Sequence, residues 1–207
     1  MTKAHLAFEE LHRHLREDTA PSAFLSHFAK QPLFQAHPFT MLARLMETPQ
    51  SPKYHPEGSV WNHTLLVLDE AAKVKSKSSR PQWFMWAALL HDIGKPDTTR
   101  TRKGKITSYG HELRGAVLAR QFFSACGQGG GSAEYVASLV KWHMETLFFA
   151  KSLPFSNLES MKREADPREV ALLGFCDRMG RLGAKKEEEL RNYRAFLTAA
   201  AETAARS

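Results

Sequence analysis

The sequence predicts an all-α fold, and three observations carry that expectation. Apolar residues recur at helical spacing through most of the 207 residues. No stretch alternates convincingly between apolar and polar residues, and there is no internal repeat or long low-complexity segment. Several segment ends also carry start and stop residues for helices.

Taken in order, residues 4–17 and 20–30 read as short helices, the second opening at "TAPSAF", where Thr19 or Ser22 is expected to cap. Five prolines between positions 31 and 64 break the next stretch into a short helix near 39–47 and an extended connector at 48–60. That connector is the expected boundary between a helical extension, 1–48, and a main domain, 49–184. Within the main domain, helices are predicted at about 61–76, 81–93, 110–125, 132–148, 157–164 and 167–182. Gly94 and Pro96 are expected to stop the second of these, and Gly127 with Gly129 to Gly131 to separate the third from the fourth. "DPREV", 166–170, is a helix start, with Asp166 as N-cap, Pro167 at N1 and Glu169 at N3. "KGKITSYG", 103–110, is the one candidate for a small extended turn, and residues 185–207 form a polar C-terminal helix.

A chain of this length with 43% hydrophobic residues suffices for one sizeable core. No run approaches the roughly 18 apolar residues of a membrane span, and "MTKAHLAFEELHRHLRED" is charged throughout, unlike a signal peptide. A soluble, cytoplasmic protein without a membrane partner is therefore expected. Cys126 and Cys176 lack CxxC spacing and read as reduced, small apolar residues rather than zinc ligands. The net charge of +7 suits an anionic partner such as a nucleotide or RNA, although acids interleave with the basic residues near the end, as in "AKKEEELRNYR".

The chemistry lies where polar groups fall on apolar helical stripes. His63 shares a stripe with Val67, Ala71 and Val74; His91 with Phe84, Ala87 and Ala88; Asp92 with Met85, Ala88 and Leu89. His143 follows Val136, Leu139 and Val140, and Asp177 follows Val170 and Leu173. A buried histidine alone is commonly a hydrogen-bonded core residue. Two inward carboxylates are harder to explain, because an ionised carboxylate out of water costs several kcal/mol or more unless compensated. A divalent cation compensates both, since imidazole nitrogens and carboxylate oxygens are its usual ligands. Adjacent side chains on a helix diverge by about 100°, so His91 and Asp92 meet one ion most easily at a helix end, where the dipole also favours a cation.

"WNHT", "ALLHDIGKPDTT" and "FCDRMGR", in that order, resemble the HD superfamily of metal-dependent phosphohydrolases. The stretches "QSPKYHPEGSVWNHTLLVLDEA" and "YGHELRGA" are similar in turn to the HD domain of bacterial tRNA nucleotidyltransferases, over roughly residues 40–183. The resemblance implies an HD-type helical bundle and carries over His63, His91, Asp92 and Asp177 as ligands of one metal. His111 and His143 resemble the further histidines of binuclear members, in which the doublet aspartate bridges two ions. One or two divalent ions, of Mn, Fe, Co, Ni, Mg or Zn, are implied. No acidic strand motif of a nucleotidyltransferase head is found, so the chain is expected to act without one.

In this reading a metal-activated water attacks a phosphomonoester or a (cyclic) phosphodiester, with a phosphorylated small molecule, nucleotide or RNA end as substrate. Asp92 and Lys95 are the candidate catalytic residues, and Lys95, Arg114 and Arg178 the candidate phosphate contacts. Glu112 reads as a first-turn acid, and His55, in "YHPEG", as framework rather than ligand. Two alternatives stay open: a nucleotide- or RNA-binding module with a structural metal, and an assembly role for the C-terminal helix in a homo-oligomer.

Overall fold

Residues 81–90 form the helix around which the molecule is built. The computed structural model describes residues 2–202; residues 203–207, the end of the expected C-terminal helix, lie outside the described residues. Helices α1 (Lys3–Glu17), α2 (Pro21–Phe28) and α3 (Thr40–Glu47) come first, followed by α4 (Val60–Val74) and α5 (Pro81–Leu90). A single turn, α6 (Lys95–Thr98), leads into an antiparallel hairpin of β1 (Arg100–Arg102) and β2 (Lys105–Thr107), with Thr101 opposite Ile106. Then come α7 (His111–Ala125), α8 (Gly131–Trp142), α9 (Glu145–Ala150), α10 (Leu158–Glu164), α11 (Pro167–Met179) and α12 (Lys186–Glu202).

Helix α5 is apolar on every side, and every residue from Phe84 to Leu90 is buried. Such a helix is stable only when surrounded, and α1, α4, α8 and α11 pack on it. The core does not pause at the connector near residue 48. Phe8 of α1 stacks on Trp86 of α5 with ring centroids 4.4 Å apart, Trp86 Nε1 donates to His12 Nδ1 at 2.9 Å, and Phe28 and Phe39 meet edge to face at 5.2 Å. The first three helices thus share one continuous core with the rest.

Several local expectations are corrected. Neither Thr19 nor Ser22 caps α2: Pro21 opens it, and Ser22 instead donates to Asp69 at 2.6 Å. Asp166 does cap α11, accepting from Arg168 N at 2.8 Å. Glu169 does not close a capping box. Its buried carboxylate accepts from Ser78 Oγ at 2.7 Å, Ser79 N at 2.6 Å and Tyr135 Oη at 2.8 Å, tying α11 to the start of α5 and to α8. The helix expected at 132–148 is two helices, α8 and α9, turning at His143 and Met144. The helix expected at 81–93 ends at Leu90, and Pro96 does not stop the chain but opens α6.

Two glycines set how closely the site-bearing segments approach. Gly94 has an ordinary right-handed conformation; a Cβ there would lie 2.1 Å from His111 O and 2.6 Å from Gly115 N, so its role is to let α7 sit against the turn after α5. At the end of α11, a Cβ on Gly180 would lie 2.8 Å from Val67 N, and this contact draws Asp177 toward α4.

Candidate metal centre

His91 and Asp92 occupy the turn between α5 and α6, where the helical ladder has ended and both side chains face one space. His63 comes from α4, His111 from the first turn of α7, His143 from the end of α8 and Asp177 from the last turn of α11. All six side chains are almost wholly buried.

Three of the histidines are held alike. The Nδ1–H groups of His91, His111 and His143 donate to Ala88 O, Ser108 O and Val140 O at 2.8, 2.7 and 2.7 Å, each a carbonyl three residues earlier. That fixes the tautomer and aims each Nε2 lone pair inward. His91 Nε2 is buried without a hydrogen-bond partner, 3.2 Å from Asp92 Oδ2. His111 Nε2 lies 3.3 Å from both His143 Nε2 and Asp92 Oδ1. Two inward lone pairs at such a distance repel unless a cation or a shared proton lies between them. The donor set therefore fits a divalent ion, and the groups His63/His91/Asp92 and Asp92/His111/His143 each bring their ligand atoms within 4.8 Å of one another. Asp92 belongs to both, Oδ2 toward His91 and Oδ1 toward His111 and His143.

The electrostatics follow from burial. Burial opposes ionisation of Asp92, but the charge of Lys95, 2.7 Å from Oδ2, overcomes it and holds the carboxyl well below the usual carboxylate range. Asp177 is likewise held low against its burial, by Arg181 and then His63. Burial pushes His143 down to about 3, which keeps the ring neutral. His63 is raised despite burial, because Nε2 faces Asp177 Oδ1 and Nδ1 faces Glu57 Oε1, both at 2.9 Å.

Glu57 was not legible as a site residue. Its buried carboxylate lies 2.9 Å from His55 Nδ1 as well, so His55 and Glu57 back His63 from outside. Lys95 Nζ stands 2.7 Å from Asp92 Oδ2 and donates to Gln50 Oε1 at 2.6 Å. The other two expected phosphate contacts are engaged elsewhere. Arg114 donates to Asp97 at 2.6 Å on an exposed flank and does not line the cavity beside the centre. Arg178 lines it but pairs with Glu189 at 2.9 Å. Arg181, one turn beyond Asp177, lies 3.3 Å from both of its carboxylate oxygens, lines the cavity, and keeps a buried Nε without a partner. Glu112 sits in the first turn of α7, 3.4 Å from His111 Nδ1, whose proton already goes to Ser108, which suits a first-turn acid.

Residues 60–182, more than half of the chain, match the family model of the HD domain. The chain belongs to the HD-domain family. Its all-α bundle is a fold of the metal-dependent hydrolase type. The multifunctional CCA protein of Actinobacillus pleuropneumoniae serotype 5b (strain L20) is 28% identical over 157 residues, covering 72% of this chain and 38% of that protein. That of Thioalkalivibrio sulfidiphilus (strain HL-EbGR7) is 31% identical over 105 residues, 51% of this chain and 24% of the relative. That of Azoarcus sp. (strain BH72) reaches 42% over 80 residues, 39% of this chain and 18% of the relative. The chain thus spans well under half the length of these relatives and matches their HD portion. No described helix is long and apolar enough to cross a membrane.

Proposed function

We propose that the chain is a divalent-metal-dependent phosphohydrolase acting on a phosphomonoester or a (cyclic) phosphodiester of a nucleotide or an RNA end. The observation that carries this reading is the set of inward, tautomer-fixed Nε2 atoms around Asp92, with His91 Nε2 buried and unpartnered. His63, His91, Asp92 and Asp177 hold one ion in this reading, and Asp92, His111 and His143 a second. Ions so held supply a water of lowered pKa and offset the charge of the phosphate.

The chain's own residues do the rest. Asp92 keeps its charge because Lys95 favours it. Lys95, steadied by Gln50, is placed beside the ligand carboxylate to meet a phosphate oxygen. Arg181 is a second candidate, in place of Arg114 and Arg178, because its partner is a proposed ligand rather than a distant acid. Burial of the centre beneath an open cavity limits water on the far side of the ligands and leaves one face for substrate. The preference for nucleotides or RNA rests on the net positive charge and on the CCA-protein relatives.

A hydrolysis panel tests this: cyclic nucleotides, nucleoside monophosphates and an aryl phosphodiester, each with manganese, cobalt, nickel or magnesium. Turnover of at least one member, lost in Asp92→Ala, is expected. No turnover of any ester with any metal overturns the proposal.

A further inference from the structure

Large apolar side chains left in water are individually unremarkable, but their clustering at one opening marks a binding surface. Among the described residues the exposed aromatic side chains are Tyr54, Tyr109 and Phe155, at 58%, 80% and 61% of full exposure. All three line one cavity of about 1080 Å³, the cavity that reaches Asp92, Lys95, His111 and His143. The exposed Leu113 lines it too.

The three rings come from separate segments: Tyr54 from the connector before α4, Tyr109 from the loop between β2 and α7, and Phe155 from the loop after α9. In two of these the neighbouring chain is firmly held. Ser108, next to Tyr109, accepts from His111 Nδ1 through its carbonyl and bonds Thr99 through its hydroxyl at 2.7 Å. Ser156 Oγ and Asn157 N, following Phe155, donate to the buried Glu145 carboxylate at 2.6 and 2.7 Å. The Phe155 ring is steadied edge to face by Phe148 at 5.7 Å, and an exposed ring on an anchored backbone is a stacking platform with little conformational entropy to lose. Phosphate chemistry alone makes no use of such rings, and the cavity lies at or above the roughly 300–1,000 Å³ typical of small-ligand sites. Lys151 lines it as well, beside Lys95 and Arg181, and the chain carries a net charge of +7. Flat apolar platforms, cations and a phosphate-directed centre in one cavity match the chemistry of a single-stranded polynucleotide end.

We infer that this cavity binds a single-stranded oligonucleotide end, with the bases next to the terminal phosphate stacked on Tyr54, Tyr109 and Phe155 while the phosphate reaches the centre. The inference deepens the proposed function and rests on it for the nature of the reacting group. It makes the substrate a strand of two or more nucleotides rather than a free mononucleotide.

The test is fluorescence anisotropy of the intact chain, without added metal, against a labelled trinucleotide bearing a 3′-phosphate and against the same strand made abasic. The base-bearing strand is expected to bind wild type at least fivefold more tightly. Replacing a platform, by Tyr54→Ala, Tyr109→Ala or Phe155→Ala, is expected to weaken binding about 5- to 150-fold, with the abasic strand unaffected. A preference shown by either a ribo- or a deoxyribo-strand supports the inference and names the source of the ligand. Equal affinity of wild type for base-bearing and abasic strands overturns it, whatever the variants do. Turnover of an aryl phosphodiester without base discrimination removes this inference alone; base discrimination without turnover of any ester removes the proposed hydrolase alone.

Discussion

Replacing Gly94 by alanine tests how the fold builds the centre. The added Cβ would meet His111 O at 2.1 Å, whereas ordinary contact begins at 3.4 Å, so that carbonyl must retreat by about 1.3 Å. The other near atom, Gly115 N at 2.6 Å, also belongs to the backbone of α7, so no side-chain rotation relieves the clash. The helix must move as a unit and carry His111 with it, whose Nε2 now lies 3.3 Å from Asp92 Oδ1. Overpacking of this kind costs about 1–3 kcal/mol. At about 2–4 °C per kcal/mol for a chain of this size, the melting temperature falls by about 2–12 °C. The assay is a thermal melt beside elemental analysis of bound metal, with Gly129→Ala as the control, since a Cβ there meets nothing within 4 Å. The variant is expected to melt early and to lose metal while the control matches wild type. A Gly94→Ala protein that melts with wild type and keeps its metal would refute the packing argument.

Other outcomes follow from the same contacts. Phe8→Ala removes a ring stacked on Trp86 and set edge to face with Phe123; a loss of about 3–5 kcal/mol in denaturant melts is expected, and a loss below 1 kcal/mol would detach α1 from the common core. Glu57→Gln removes the charge facing His55 and His63 and is expected to weaken metal binding about 10- to 100-fold in competition with a chelating dye; unchanged affinity would leave Glu57 as filler. Asp177→Ala leaves Arg181 and His63 without their shared buried acid and is expected to destabilise the metal-free chain by about 3–5 kcal/mol, with no change in the denaturation midpoint as the contrary result. Stripping the protein with a chelator and returning metal at about one hundred times its dissociation constant should restore about 2.7 kcal/mol, or about 5–11 °C by the same conversion; no rise with manganese, cobalt, nickel, magnesium or zinc would contradict a preformed site.

Much of this arrangement was legible because burial of charge is costly enough to show in the pattern. His63, His91, Asp92, His143 and Asp177 each sit on an apolar stripe, and the structure buries them together. His111 had no stripe of its own and entered through family resemblance. The break between α8 and α9 escaped because His143 and Met144 both keep right-handed helical dihedrals, so the apolar spacing runs on through the turn. Gly94 is expected as a helix stop, yet its backbone is ordinary and it serves close approach, which depends on a helix distant in sequence. Arg178 is an expected phosphate contact because it adjoins Asp177, and the sequence raises no expectation for Arg181. Helix geometry favours the residue four positions on, since adjacent side chains diverge while residues at i and i+4 face each other. Glu57 lay in a proline-bounded connector with no periodicity to betray an inward side chain, though its place two residues after His55 was visible.

In the proposed function, four histidines and two aspartates from five separate segments form one centre for divalent metal. Elemental analysis of purified wild type beside Asp92→Ala tests it most directly, because Asp92 is the residue common to both ligand groups. One or two divalent ions per chain are expected in wild type and essentially none in the variant. Equal metal content in the two proteins would contradict it.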